Sequence, residues 1–142
     1  MALGAAPGTE QDTLEEWHRD ALSGPGRIVL VAELDGEVVG MAHIAPSEAA
    51  NAPHRAEVQR VAVAESARGS GVGRRLMAAV EEAALDRGLT LLWLTTHDLS
   101  GACAFYEAVG YSKLGVMPGY SHRPDGTLSP AAFYYKELRR SQ

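Results

Sequence analysis

Arg68-Gly69-Ser70-Gly71-Val72-Gly73 is the stretch on which the fold of this 142-residue chain turns. Before it, Arg55 to Val63 has extended character, with Val58, Val61 and Val63 among its apolar residues. After it the apolar period changes. Val72, Leu76, Ala79, Val80 and Ala83 fall on one helical face, while Arg74, Arg75, Glu81, Glu82 and Asp86 fall away from it. A strand, a glycine turn and a helix in that order let backbone N–H groups at the helix N-terminus bind phosphate. A nucleotide P-loop would need Gly-Lys-Ser/Thr at its end, and a dinucleotide fingerprint a third glycine three residues after the second. Here Gly73 is followed by Arg74-Arg75, and Leu76 stands where that third glycine belongs, so both alternatives fail.

The charge at this turn is unusual. Arg74 and Arg75 lie in the first helical turn, where positive charge meets the positive end of the helix dipole, at a cost of about 0.3–1 kcal/mol each. A bound polyphosphate reverses that sign. Alternatively, the arginines point into water and the glycines only make a tight connection. The loop alone leaves both readings open.

Working outward, Arg27 to Leu34 and Glu37 to Ile44 are apolar runs joined by Asp35-Gly36, which suits a type I′ turn and predicts a β-hairpin. Thr13-Leu14-Glu15-Glu16 fits a capping box, opening a helix that ends near Ser23-Gly24-Pro25. The glycine-loop helix stops at Gly88. Leu89 to Leu94 is apolar on nearly every residue, as expected of a central strand covered on both faces. Ala102 to Val109 reads as a short helix closed by Gly110. A last pair of strands, about Tyr111 to Val116 and Ala131 to Leu138, flanks turns at Pro118-Gly119 and Pro124-Asp125-Gly126.

With 46% hydrophobic residues the chain can bury one core, so a single domain over residues 12–142 is expected, behind a loose tail at 1–11 rich in Gly, Ala and Pro. The formal net charge of -5, with no cluster of Lys and Arg long enough to suggest one, argues against a nucleic-acid partner. Cys103 is the only cysteine, which excludes an intramolecular disulfide and a thiolate zinc site. His43, His54 and His122 lack metal-ligand spacing, so no metal is assigned. No apolar run reaches the length of a membrane span and the start lacks a signal-peptide pattern, so no membrane partner and a cytoplasmic location are expected.

Arg68-x-x-Gly71-x-Gly73 resembles the acyl-CoA pyrophosphate loop of the Gcn5-related N-acetyltransferases (GNAT), and the block Ala102-Cys103-Ala104-Phe105-Tyr106-Glu107-Ala108-Val109-Gly110-Tyr111, about 30 residues on, resembles the same family. Together the two motifs are far more specific than either alone. Within the family the chain is similar to the tabtoxin-resistance type through Arg55-Ala56-Glu57-Val58-Gln59, Ser66-Ala67-Arg68-Gly69 and Pro118-Gly119-Tyr120 followed by Pro124-Asp125-Gly126. The resemblance implies an α/β (α+β) fold with a mixed, mostly antiparallel central sheet flanked by helices. It also implies transfer of an acetyl group from acetyl-CoA directly to a primary amine of a small molecule.

On this resemblance, the loop Arg68, Gly69, Ser70, Gly71, Val72, Gly73, Arg74 and Arg75 surrounds the CoA pyrophosphate, by backbone amides at Gly69, Gly71, Gly73 and Arg74 and by arginine charge. Val61 and Val63 pair their backbones with the pantetheine arm. A backbone N–H near Val61 or Ala62 stabilises the oxyanion. Glu57 stands where related enzymes carry a carboxylate and is the candidate general base; a solvated strand-edge glutamate or a partner for Arg55 is its plainer reading. Tyr106 matches the family's proton donor to the departing thiolate, with a core aromatic as the alternative. Leu99 replaces a frequent family Asn, and Thr95 replaces an Asp of the tabtoxin type, leaving His97 and Asp98 as unproven substitutes.

The family's first strand and first helix have no counterpart in residues 1–11, so Arg27 to Leu34 is expected to be a bare sheet edge, which points to a homodimer. Competing functions are a non-catalytic acyl-CoA-binding module and a peptide or protein N-acetyltransferase.

Overall fold

A computed structural model of the chain describes Ala2–Leu3 and residues 26–139. Seven strands form one sheet in the order β1-β2-β3-β4-β5-β7-β6: β1 (Ala2–Leu3), β2 (Ile28–Leu34), β3 (Glu37–Pro46), β4 (Arg55–Val63), β5 (Leu91–His97), β6 (Ser112–His122) and β7 (Leu128–Glu137). Among the described residues the α-helices are α1 (Val72–Asp86) and α2 (Gly101–Ala108), with a 3-10 turn at Glu65–Ala67. Every neighbouring pair is antiparallel except β4 with β5. The expected mixed, mostly antiparallel α+β fold is the one observed.

Local chemistry accounts for the boundaries. Asp35 and Gly36 both have positive φ, 53° and 83°, as a type I′ turn requires, and the hairpin forms around them. Helix α1 ends in a Schellman arrangement: Gly88 is at φ 76°, its N–H donates to the Leu85 carbonyl, and the Leu89 N–H donates to the Ala84 carbonyl. Leu89 is therefore the buried contact after a helix cap rather than the first residue of a strand.

Three expectations change. Residues 1–11 were read as a loose tail, yet Ala2 and Leu3 pair antiparallel with Glu33 and Ala32 on the outer edge of β2. Strand β5 is not covered on both faces. It alternates, with Leu92 and Leu94 buried while Leu91 and Trp93 are only partly so. Pro118-Gly119 is no turn. It lies within β6, where the register to β7 shifts between Met117 and Ser121 and Gly119 takes φ 65°. A proline is tolerated there because β6 is an edge strand, whose outward N–H groups have no ladder to join. The reversal comes at Arg123–Thr127, held by Asp125 accepting hydrogen bonds from the Thr127 N–H and hydroxyl. The helix expected from Thr13 lies outside the described residues.

One core joins the sheet to both helices. Ala56, Val58, Leu92, Leu94 and Tyr134 pack with Leu76 and Val80 of α1 and Cys103 and Tyr106 of α2. By the two-residue alternation of strands, Glu57, Trp93 and Phe133 then face the other side of the sheet.

Candidate active site

Strand β4 follows β5 for only three residues, with Arg55, Ala56 and Glu57 opposite Leu91, Leu92 and Trp93. Beyond Glu57 the two strands separate. The cause is visible in β4, where Arg60 takes φ 54° and the register to β3 shifts between Met41 and His43. Such a bulge bends its strand away from the neighbour. The separation leaves a slot of about 490 Å³ lined by Glu57, Gln59, Val61, Thr95, Thr96 and Tyr106 among others. Its lining comes from both sides of the sheet, so the slot joins the face carrying α1 and α2 to the face carrying Glu57. Along it, β4 residues after Glu57 have no strand partner on the β5 side among the described residues.

On the helix face the slot meets a cavity of about 840 Å³. Val61, Val63, Arg68, Gly69, Gly71, Gly73, Arg74 and Tyr106 line it, together with Ala102 and Phe105. Gly69 and Gly71 have φ 82° and 85°, which successive L-residues with side chains seldom adopt, and Gly71 is the N-cap of α1 with no side-chain cap. The N–H groups of the first turn are thus left for an external acceptor. Gly73 is glycine for a different reason: a Cβ there would lie 3.1 Å from Phe105 Cε1. The Arg68 Nε donates to the Val63 carbonyl at 3.3 Å, tying the loop to β4.

Not every residue expected around the phosphates turns toward this cavity. Val72 is buried in the core, and the Ser70 hydroxyl donates back to the Ala67 carbonyl. Ala62 is paired with Met41, and Arg75, one step from Arg74, is exposed outside the lining.

Tyr106 lines both spaces from α2 and is 8% exposed. Rings of Phe105, Tyr111 and Tyr134 surround it at 5.3, 5.9 and 6.3 Å between centroids. That burial pushes its phenol up to about 12. Glu57 reaches the slot from the opposite face. Its Oε1 accepts from Gln59 Nε2 at 2.9 Å, and the Gln59 Oε1 accepts from Arg27 Nη1 at 3.4 Å. No ion pair joins Glu57 to Arg55 among the described residues; Arg55 instead donates to the Ser47 hydroxyl at 3.4 Å.

The His97-Asp98 pair is no dyad. His97 Nδ1 bonds the Ser129 hydroxyl at 2.9 Å, while Asp98 pairs with Lys113 at 3.0 Å. Cys103 is buried, its Sγ directed at the His97 carbonyl. Thr95 lines the slot, whereas Leu99 projects into solvent, 88% exposed at φ 63°. Sequence reading missed Trp93 and Phe133, which stack on the Glu57 side at 6.1 Å between centroids. The run Leu91-Leu92-Trp93-Leu94 is apolar at every position, so the sequence carried no alternation to mark Trp93 as facing away from the core.

The chain is 45% identical over 74 residues to N-alpha-acetyltransferase 80 of Mus musculus, covering 52% of this chain and 22% of that protein. It is 32% identical over 104 residues to the uncharacterized N-acetyltransferase YjgM of Escherichia coli (strain K12), covering 72% and 62%. The chain therefore spans less than two thirds of either relative. Among solved structures, a ribosomal-protein-alanine N-acetyltransferase from Brucella melitensis superposes with TM-score 0.76 at 29% identity, over 89% of this chain and 78% of that one. The putative acetyltransferase yncA from Salmonella typhimurium, solved with its cofactor acetyl-CoA, superposes with TM-score 0.75 at 21% identity, over 92% and 75%. The family model described as acetyltransferase (GNAT) family matches residues 4–111, from before the hairpin to the end of the Tyr106 helix, and the chain belongs to that family.

Proposed function

We propose that this chain is an acetyl-CoA-dependent N-acetyltransferase that acetylates a primary amine of a small molecule, an amino-acid-like metabolite or an antibiotic or toxin, within a single domain that β1 joins through the sheet. The observation that carries the reading is the slot between β4 and β5. It offers an acyl donor an unpaired strand edge on the helix side and an amine a carboxylate on the other side. The glycine loop fits a polyphosphate through uncapped amides and Arg74, and the yncA structure was solved with acetyl-CoA.

In the reaction the amine nitrogen attacks the thioester carbonyl, a C–N bond forms and the C–S bond breaks. The nitrogen's proton passes to Glu57 directly or through water, and the departing sulfur takes a proton from Tyr106. Solvent restores both groups, so the net products are an amide and a thiol. Tyr106 at about 12 lies three to four units above an ordinary thiol near 8.5, which makes full proton transfer uphill in water. Inside a buried site the same desolvation penalises the thiolate and narrows that gap.

Likeness to the tabtoxin-resistance type at Arg55–Gln59 and at Pro118–Tyr120 supports a small acceptor. A peptide N-terminus is the second reading, favoured by the named activities of the mouse and Brucella proteins. Thiol release from acetyl-CoA across a panel of small amines and short peptides tests both. Amine-dependent release is expected, larger with small amines; CoA binding without release from any acceptor would leave only an acyl-CoA-binding module. We also propose self-association along Ile28–Val31, since β1 pairs only with Ala32 and Glu33 of β2 among the described residues. Light scattering that shows a monomer at high concentration would remove it.

A further inference from the structure

The face of the sheet that carries Glu57 holds a row of side chains crossing four strands. Glu57 on β4 and Trp93 on β5 are register partners. Trp93 stacks with Phe133 of β7 at 6.1 Å, their planes 2° apart. Phe133 in turn meets Tyr120 of β6 in a T-shaped contact at 5.6 Å and 87°. The bulge at Pro118-Gly119 is the local feature beside Tyr120 in an otherwise edge-exposed strand. Trp93 and Phe133 also line an apolar hollow of about 520 Å³, with Tyr135, Leu91 and Leu114 and with the charged Arg55 and Glu137 among its other walls. A second, polar recess of about 310 Å³ shares Arg55 and Trp93 with that hollow and includes Glu57, Gln59 and Arg27. Glu57 also lines the slot to Tyr106. Hollow, recess and slot therefore share walls, running from the rings of Trp93 and Phe133 to Glu57 to the proposed reacting centre.

Resting on the acetyl-transfer reading above, we propose that the acceptor is a primary amine borne on a flat aromatic body, with its nitrogen at Glu57 and its ring against Trp93 and Phe133, the latter held in place by Tyr120. The parallel rings of Trp93 and Phe133 both line the hollow, so a planar guest can stack on one or meet it edge to face, and Tyr120 buttresses Phe133 from β6. Of the two carboxylates along this path, Glu137 in the hollow and Glu57 in the recess, only Glu57 also lines the slot to Tyr106, and an ammonium desolvated near Glu57 keeps a charge partner until it yields its proton. A saturated ring of equal size buries comparable apolar area without the aromatic geometry, which isolates the wall's contribution.

The test compares 2-phenylethylamine with 2-cyclohexylethylamine as acceptors in acetyl-CoA thiol release. The aryl amine should show kcat/KM about three- to tenfold higher, the worth of one or two aromatic contacts. Trp93→Leu and Phe133→Leu should each reduce that ratio, mainly through KM for the aryl amine. Tyr120→Ala, at a side chain 44% exposed, should reduce it too and tests the wall where a core substitution impairs folding. Equal kcat/KM for the two amines, or a ratio untouched by all three substitutions, overturns the proposal while leaving acetyl transfer standing. Should no amine support thiol release, calorimetry of the same two amines on the CoA-loaded chain decides. Tighter binding of the aryl amine that weakens in Trp93→Leu keeps the wall and discards the transfer reading; equal binding discards the wall.

Discussion

Strand β5 has two edges with opposite fates. Toward β7 it is paired along its whole length, from Leu91 opposite Glu137 to His97 opposite Ala131. Toward β4 it is paired at three positions and then parts. Both edges belong to the same residues, so β5's own propensity cannot explain the difference. It comes from the neighbours: β7 runs on in register, while β4 carries an extra residue at Arg60, in a conformation that a non-glycine residue adopts only under tertiary constraint. An open sheet whose inner strands were all fully paired would have no unsatisfied strand edge in its interior for a ligand to join. Opening one edge after Glu57 costs several ladder hydrogen bonds, and in return Glu57 and Tyr106 reach a common space from opposite faces.

The hardest blow to the open edge is removal of the groups that face each other across it. Tyr106→Phe should lower kcat by about 10²- to 10⁴-fold, the range for a positioned acid or base, while CoA affinity measured by calorimetry changes little. The substitution also has a stability signature. Because burial raises the folded pKa from 10.0 to about 12, the phenol contributes stability that is present below the unfolded value and fades as pH rises from about 10 to 12. Equilibrium unfolding of the unaltered chain should weaken across that window by about 2–3 kcal/mol from this group, and Tyr106→Phe should remove that part of the slope. Activity should accordingly show no alkaline limb from Tyr106 below that window.

Glu57→Gln should cost about 10²-fold in kcat at pH 7 and progressively less at higher pH, where the acceptor amine loses its proton unaided. A pH-independent deficit would instead mean that Glu57 only positions the amine. That result would move the base to a water held elsewhere in the slot.

Gly73 sharpens the comparison from the helix side, since its missing Cβ lets α1 approach Phe105, the neighbour of Tyr106. Gly73→Ala gains about 1 kcal/mol of helix propensity, but crowding a packed contact costs about 1–3 kcal/mol. Crowding should win, destabilising the chain by about 1 kcal/mol. In a Phe105→Leu background the sign should reverse, because the ring has gone and the propensity gain remains. Urea unfolding of the four combinations measures this directly.

How much of this was legible in the sequence follows from range. The hairpin at Asp35-Gly36, the strand Arg55–Val63 and the span of α1 were read nearly to the residue, because turn chemistry, period and caps are local. The glycine loop and Tyr106 were legible as motifs. The slot was not, for it depends on a bulge at Arg60, a residue with no turn preference, and on which strand lies beside β4. Likewise, Pro118-Gly119 carries a turn's chemistry and becomes a bulge only because β6 is an edge. The aromatic row required three strands out of sequence order, β5, β7 and β6, to be laid side by side. Leu99 shows the limit in another way: its φ of 63° is one that Asn adopts more readily than Leu, which gives a backbone reason for the family's frequent Asn at that place.

The smallest effect separates two adjacent arginines that sequence alone treats alike. Arg74 lines the cavity beside the uncapped amides of α1, and Arg75 does not. Both are exposed, so any charge contribution is screened and modest. Arg74→Ala should weaken CoA about two- to fivefold at low ionic strength, with the difference shrinking as salt is raised, whereas Arg75→Ala should change affinity less than twofold. Equal losses for the two would mean that they act only through the general positive field at the helix start. In that case the phosphate preference of the loop rests on the amides of Gly69 to Arg74 and on the glycine φ angles that aim them, and the open edge of β4 selects its ligand by backbone alone.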